Sequence, residues 1–443
     1  MVGMSAELIA LSQVLSYRSG KNPKPSWIFV PTDRMASSIV EQLNAVQDPG
    51  LAERVVLDQY EVENILSQLD GVFPFDEAVI EGIITFLFTT ECYYNRQAIV
   101  DTSHPALPKD VTFTSVESFG TSAWTVTGRV TAQKADGSIQ RFFLKVAYGE
   151  HGRLMLGGEH VSSKMIYSVM PDFIPTPYGY GRYKVQSPDT YFYLSQFIDM
   201  DVTTAPDPED LMGNLAELHK NSQSPTGKFG FPVTTYDGNI PHRVTWESKW
   251  VDFFRNLFLH ACSLDAEVNE PWPELELAVR QMGDAVIPRL LGNLRQSGSD
   301  EPVKPCLIHG DLWEGNRGID METGDSVVYD ASSYFAHNEM EFGNWRSELN
   351  TFFRSKTYMA HYLRRFPAAE PVEEFDDRNR LYSIKVAINY SAMRPGSIRR
   401  KTAYNNMCYL IHKYAPIEGV EQYDPRSDPF VTGAHFQVYS SSD

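Results

Sequence analysis

A change of hydrophobic period along the chain limits the fold more than any other feature. Between residues 111 and 149, β-branched and aromatic residues alternate with polar ones in "VTFTSVESFG", "AWTVTGRVTAQ" and "IQRFFLKVAYG". A repeat of two sends successive side chains to opposite faces, so each stretch predicts a strand. The Asp-Gly pair in "KADGS" predicts a tight turn that joins the last two into an antiparallel meander. "GGEHVSSKMIYSVM" then fits a helix and "TYFYLSQFIDM" another strand. From residue 208 onward the period is mainly helical, strongest in "PEDLMGNLAELHKNS", "WPELELAVRQMGDAVIPRLLGNLRQ" and "DDRNRLYSIKVAINYSAM". A small β-rich lobe followed by a larger helical lobe is an α+β layout, and a cleft between lobes is a common ligand site.

At 443 residues the chain is long enough for two or three units. The first boundary falls in "DTSHPALPKD", residues 101 to 110, where two prolines separate unlike segments. The expected division is an N-terminal extension over 1–105, a β-rich lobe over 106–200 and a helical lobe over 201–443. Within the extension, "SWIFVP" suits a strand and "DRMASSIVEQLNAV" a capped amphipathic helix, but no catalytic pattern occurs. Its most apolar window, "VIEGIITFLFTTECYY", is shorter than the ~20 residues a membrane span needs. It also carries Glu81 and Glu91, so a buried helix or strand pair is expected.

Charge excludes some partners. Thirty-nine Lys and Arg against 57 Asp and Glu leave a formal charge of −18, which opposes attraction to nucleic-acid backbones and anionic lipid. Neither a nucleic-acid nor a membrane partner is expected. Cys92, Cys262, Cys306 and Cys408 lie far apart with no C-x-x-C pair, which supports neither zinc nor a disulfide framework. The N-terminus has an apolar stretch without a basic region before it, a poor secretory signal. A reducing cytoplasm is the expected compartment.

Transfer of a γ-phosphoryl group needs a cation at the phosphates, a carboxylate to hold it, metal ligands and a base at the attacking hydroxyl. Candidates occur in that order. Lys145 ends the third predicted strand, although a solvent-facing lysine at a strand edge has the same local sequence. Glu159 follows fourteen positions later, at the start of the predicted helix, where it can complement the helix dipole and, compatibly, pair with Lys145. "SFGTSAW", with Gly120, occupies the hairpin that would cover the phosphates; it is no Gly-rich fingerprint, and no Walker A pattern exists. In "CLIHGDLWEGN", Asp311 and Asn316 have the D-x-x-x-x-N spacing of a kinase catalytic loop. Asp330, in "SVVYDASSYF", leaves an apolar strand where a carboxylate would bind Mg²⁺, or simply close a turn.

"HGDLWEGN" followed by "YDASSYFAHNEME" resembles the fructosamine kinase (ketosamine-3-kinase) family, a branch of the protein-kinase-like fold related to aminoglycoside phosphotransferases. "LAELH" at 215–219, "KFGF" at 228–231 and "WESKWVDFF" at 246–254 extend the likeness, which runs from about 110 to 415 and is strongest to fungal members. The resemblance implies a two-lobed kinase fold and MgATP-dependent phosphorylation of a sugar hydroxyl, at carbon 3, on a glycated amine or glycated protein. By position it implies Asp311 as catalytic base, Asn316 and Asp330 as metal ligands, and Lys145 with Glu159 as the phosphate-holding pair. It puts His337 and Glu339 near the acceptor, where Glu339 or Glu341 would face its cationic amine. Trp313 would stack on the sugar, or else lie in the core; His219 reads as core. Ala331-Ser332-Ser333 replaces the Asp-Pro-Ala usual in bacterial members, which leaves the acceptor loop's shape open. Two other readings share the ATP-side residues: a small-molecule kinase of the aminoglycoside type and a catalytically silent binding pseudokinase.

Overall fold

The computed structural model describes residues 108–435 apart from 109, 121 and 184–188, so the expected elements of the N-terminal extension lie outside the described residues. Strands β1 (Val111–Ser118), β2 (Val126–Lys134) and β3 (Ile139–Tyr148) form the expected meander, with β2 paired antiparallel to both neighbours. The Asp136-Gly137 turn closes β2 onto β3 through a bond from Lys134 N to Ser138 O at 2.9 Å. Helix α1 (Gly149–Val169) follows at once, then β4 (Pro177–Arg182) and β5 (Thr190–Gln196), giving a five-stranded sheet in the order β1-β2-β3-β5-β4. The central position of β3 explains its burial on both faces.

Period two then decides which face each β3 residue takes. Phe142, Leu144 and Val146 pack with Val130, Phe192 and Leu194 on one face of the sheet. Lys145 and Ala147 point to the other, where Ala147, Tyr191 and Tyr193 meet Leu156 of α1. Helix α1 begins eight residues before the expected start at 157, so Glu159 sits mid-helix and a role at the helix dipole is excluded. Gly152, Leu156, Glu159 and Ser163 share one helical stripe, which turns Glu159 toward the sheet.

The chain crosses to the second lobe after β5, where β6 (Met200–Asp201) joins a different sheet. Helix α2 (Pro208–Asn221) starts at an Asp207 cap that accepts from Glu209 N at 2.7 Å, with Pro208 in its first turn. A short hairpin, β7 (Tyr236–Asp237) and β8 (Ile240–Pro241), precedes α3 (Trp250–Val268). The single helix expected over 272–296 is interrupted: α4 (Pro273–Gln281) widens into a π turn at Met282–Val286 before α5 (Ile287–Leu291). Pro288 has no N–H to give to the preceding turn, a standard cause of such widening.

Strands β9 (Cys306–Ile308), β10 (Arg317–Asp320), β11 (Ser326–Val328) and β12 (Tyr334–Ala336) come next, β9 pairing with β12 and β10 with both β11 and β6. This pairing sets the loop 309–316 beside the loop 329–333. Helices α6 (Lys356–Arg365), α7 (Phe375–Met393) and α8 (Arg399–Tyr414) complete the lobe. Its core gathers Phe253, Phe254, Phe258, Tyr334, Tyr362 and Tyr382. A fully buried side chain of this kind contributes about 1.5–3 kcal/mol. Among the described residues no helix is long and apolar enough to cross a membrane.

Candidate active site

Lys145 is the junction of the site. Its ammonium donates to Glu159 Oε1 at 2.8 Å and to Asp330 Oδ1 at 2.6 Å, although Lys145 and Asp330 lie 185 residues apart. At 7% exposure it is no solvent-facing edge lysine. Burial opposes its charge, but the carboxylates of Asp330 and Glu159 outweigh that and raise its pKa above the usual lysine value. The two lobes are thus linked through one cation.

Asp330 holds an uncommon backbone conformation, φ 60°, the one non-glycine residue among those described with positive φ. Such strain at an aspartate is tolerated best where the surroundings fix it, and it clusters at functional sites. One carboxylate oxygen meets Lys145; the side chain stays 43% exposed, so the other faces the cleft.

The loop 309–316 is held from beneath. Gly310 has φ +89°, and a Cβ there would fall 2.1 Å from Ser332 O, so only glycine fits between Asp311 and the neighbouring loop. His309 is fully buried; its Nε2 donates to Tyr329 O at 2.9 Å while Nδ1 accepts from Asp311 N at 3.3 Å. Burial lowers its pKa despite the charge of Glu341, which agrees with this neutral tautomer. Tyr329 N donates to Asn316 O at 3.1 Å and ties the two loops together.

Asn316 Nδ2 donates to both Asp311 O and Asp311 Oδ2 at 2.9 Å. That leaves the Asn316 amide oxygen without a protein donor among the described residues. Asn344 Nδ2 reaches the other Asp311 oxygen at 3.3 Å. Burial, then the charges of Asp237 and Asp330, push the Asp311 pKa well above the usual carboxylate range, against Lys385 and Asn316. A carboxyl shifted upward accepts a proton near neutral pH more readily than an ordinary aspartate. Amide and carboxylate oxygens from Asn316 and Asp330 are the donor set of a hard divalent cation that keeps waters and substrate phosphates in its shell. Their chemistry fits Mg²⁺.

Trp313 is partly exposed and therefore outside the core. Its ring covers Gly315 so closely that a Cβ there would lie 2.3 Å from it, which explains the glycine in "DLWEGN". Gly120 opens the β1–β2 connection with φ +72°, and its carbonyl accepts from Thr127 Oγ1 at 3.3 Å.

The expected acceptor residues are displaced. His337 is completely buried, its Nδ1 2.9 Å from Tyr382 Oη. Glu339 is 1% exposed and accepts from Arg378 Nε at 2.7 Å, Arg378 Nη2 at 2.9 Å and Ala369 N at 2.8 Å. Both lie in the core: His337 precedes, and Glu339 belongs to, the 3-10 segment Asn338–Arg346, every residue of which is buried. Glu341 is corrected in the same way. Its carboxylate accepts from His309 N at 2.6 Å and Gly310 N at 3.0 Å, with His219 Nε2 at 3.2 Å. Burial would raise its pKa, but His219, His309 and the His309 N–H hold it below the usual range. Glu341 and the core residue His219 therefore anchor the loop bearing Asp311, a role hidden in sequence because it depends on a contact across 32 residues.

Comparison with known proteins gives the family and the fold. A "Protein-ribulosamine 3-kinase, chloroplastic" from Oryza sativa subsp. indica is 32% identical over 206 residues, 46% of this chain and 55% of the relative. One of the same name from Arabidopsis thaliana is 30% identical over 224 residues, 48% of this chain and 63% of the relative. The chain thus spans little more than half the length of the curated relatives it matches. A solved structure from Haemophilus somnus 129PT, assigned as a fructosamine-3-kinase, superposes with a TM-score of 0.53 at 16% identity, covering 72% of this chain and 98% of the other. That likeness shows the two-lobed fold. The sequence model of the fructosamine kinase family matches residues 108–410, and with that extent the chain belongs to the fructosamine kinase family.

Proposed function

We propose that the protein transfers the γ-phosphoryl group of ATP to a sugar hydroxyl of a ketosamine, at carbon 3, on a glycated amine or glycated protein. The observation that carries this reading is Lys145 bridging Glu159 and Asp330 beside the Asp311–Asn316 loop. Lys145, held by Glu159, orients toward the nucleotide phosphates, and the turn at Gly120 covers them with backbone N–H groups. Asn316 and Asp330 would hold Mg²⁺, whose charge would offset that of the nucleotide phosphates. Asp311 accepts the proton of the acceptor hydroxyl as its oxygen attacks, and Trp313 offers an aromatic face to the sugar. The protein supplies mainly position and electrostatics, since the loose transition state of phosphoryl transfer asks for little covalent help.

The acceptor class is supported by the family and by the names of the plant relatives. The division of the chain near residues 105 and 200 belongs to the same reading, supported by a family match that begins at 108 and by β6 joining the second lobe's sheet. A cytoplasmic location agrees with Cys262, Cys306 and Cys408 being free thiols. The test is a screen of glycated amines with labelled ATP, read by mass spectrometry. One added phosphate on fructosyl-lysine or ribulosyl-lysine supports the reading. Phosphorylation of an aminoglycoside with glycated lysine untouched would favour the small-molecule kinase, and no ATP turnover at all the binding pseudokinase.

A further inference from the structure

The hairpin β7–β8 carries charge that the roles above leave unused. Asn389 Nδ2 donates to Asp237 Oδ2 at 2.9 Å, while the other Asp237 oxygen accepts no bond among the described residues and the residue is only partly buried. One turn back on α7, Lys385 is 1% exposed and its Nζ lies 2.8 Å from His242 Nε2. His242 Nδ1 faces Thr235 Oγ1 and Ser332 Oγ, both at 3.3 Å, so the network runs from the hairpin to the loop that follows Asp330. A buried lysine needs a counter-charge, and the carboxylates that supply it are Asp237 and Asp311.

Two observations place Asp237 at the cleft. The backbone of Gly238 lies against Trp124 of the first lobe, where an added Cβ would come within 3.1 Å of the ring, so the hairpin tip meets the β1–β2 turn across the lobes. The charge of Asp237 also acts on Asp311, and both carboxylates act on Lys385, so Asp237 stands within the field of the catalytic-loop aspartate. Two carboxylates, Asp237 and Asp311, face the ammonium of Lys385, and the Arg394 guanidinium lies over Trp124 at the hairpin tip.

We propose that Asp237 binds the protonated amine nitrogen of the acceptor, with Asn389 fixing its carboxylate, so that the sugar hydroxyl is presented to Asp311. The inference rests on the ketosamine reading and names the residue that selects for the charged nitrogen. A carboxylate in contact with a cation is a charge-assisted hydrogen bond, stronger than a neutral one. Its removal is felt in acceptor binding more than in nucleotide binding.

The experiment is steady-state kinetics of the full chain on the glycated lysine that the wild type turns over fastest, with the N-acetylated, uncharged form of that compound measured as an inhibitor. Asp237→Asn should raise the acceptor KM about 10- to 100-fold, as loss of a charged hydrogen bond implies. The KM for ATP should stay within about twofold, a sign that the variant is folded. Asp237→Glu, which keeps the charge, should recover part of the loss. The acetylated compound should bind the wild type and Asp237→Asn equally weakly. Equal losses on charged and uncharged compounds, or a fall confined to kcat, would overturn the assignment while leaving the ketosamine reading standing. A wild type that turns over no glycated amine would end both, and would do so before any variant is made.

Discussion

Asp330 and Glu339 lie nine residues apart, are both acidic and each meet a cation, yet they do opposite work. Asp330 touches Lys145 with one oxygen and is 43% exposed; Glu339 spends both oxygens on Arg378 and the Ala369 N–H and is 1% exposed. The difference teaches that an acidic residue near a catalytic loop is read by its unspent acceptors and not by its proximity. A carboxylate whose two oxygens are both taken by buried donors is part of the scaffold. One with an oxygen facing the cleft is available to a metal or a substrate.

The comparison can be broken by substitution. Asp311→Asn, on the cleft side, should lower turnover by about 10²–10⁴-fold with ATP binding nearly intact. Stopped assays alongside nucleotide titration check this, and wild-type turnover would remove Asp311 from the chemistry. Glu339→Ala, on the scaffold side, should cost about 3–5 kcal/mol of stability because the fully buried Arg378 loses its partner. Denaturant unfolding measures it, and the fraction that stays folded should keep the wild-type acceptor KM. A raised acceptor KM with unchanged stability would return Glu339 to the substrate.

Smaller effects sharpen the same division. Asp330→Ala should weaken nucleotide binding about tenfold or more with Mg²⁺ present and much less without it. Calorimetric titration under both conditions decides, equal losses marking Asp330 as structural. Trp313→Leu should raise the acceptor KM only a few-fold, an aromatic contact being worth about 0.5–1.5 kcal/mol. A nucleotide KM that rises in its place would put Trp313 on the other side of the site.

Much of this site was legible before the structure. Alternation in "IQRFFLKVAYG" predicts the strand that carries Lys145, and the D-x-x-x-x-N spacing followed by Asp330 after an apolar strand picks out residues that the structure brings beside that lysine. What was missed has physical reasons. The segment Asn338–Arg346 is buried on every side, so no period separates an inward from an outward residue, and the family resemblance alone put Glu339 and the preceding His337 near the acceptor. The strand Pro177–Arg182, "PYGYGR", carries little alternation and is held mainly by pairing with β5. Asp237 stands on a two-residue strand whose importance comes from Asn389, 152 residues away.

The central claim is that the cleft formed by Lys145, Asp311, Asn316 and Asp330 phosphorylates a ketosamine. Wild type and Asp311→Asn, purified together and incubated with MgATP and ribulosyl-lysine, test it by phosphorus and proton NMR of the products. The account predicts one phosphate on the third sugar carbon from the wild type and, over the same interval, about a hundredth of that or less from the variant. No phosphorylated sugar from the wild type, or equal product from both proteins, would contradict it.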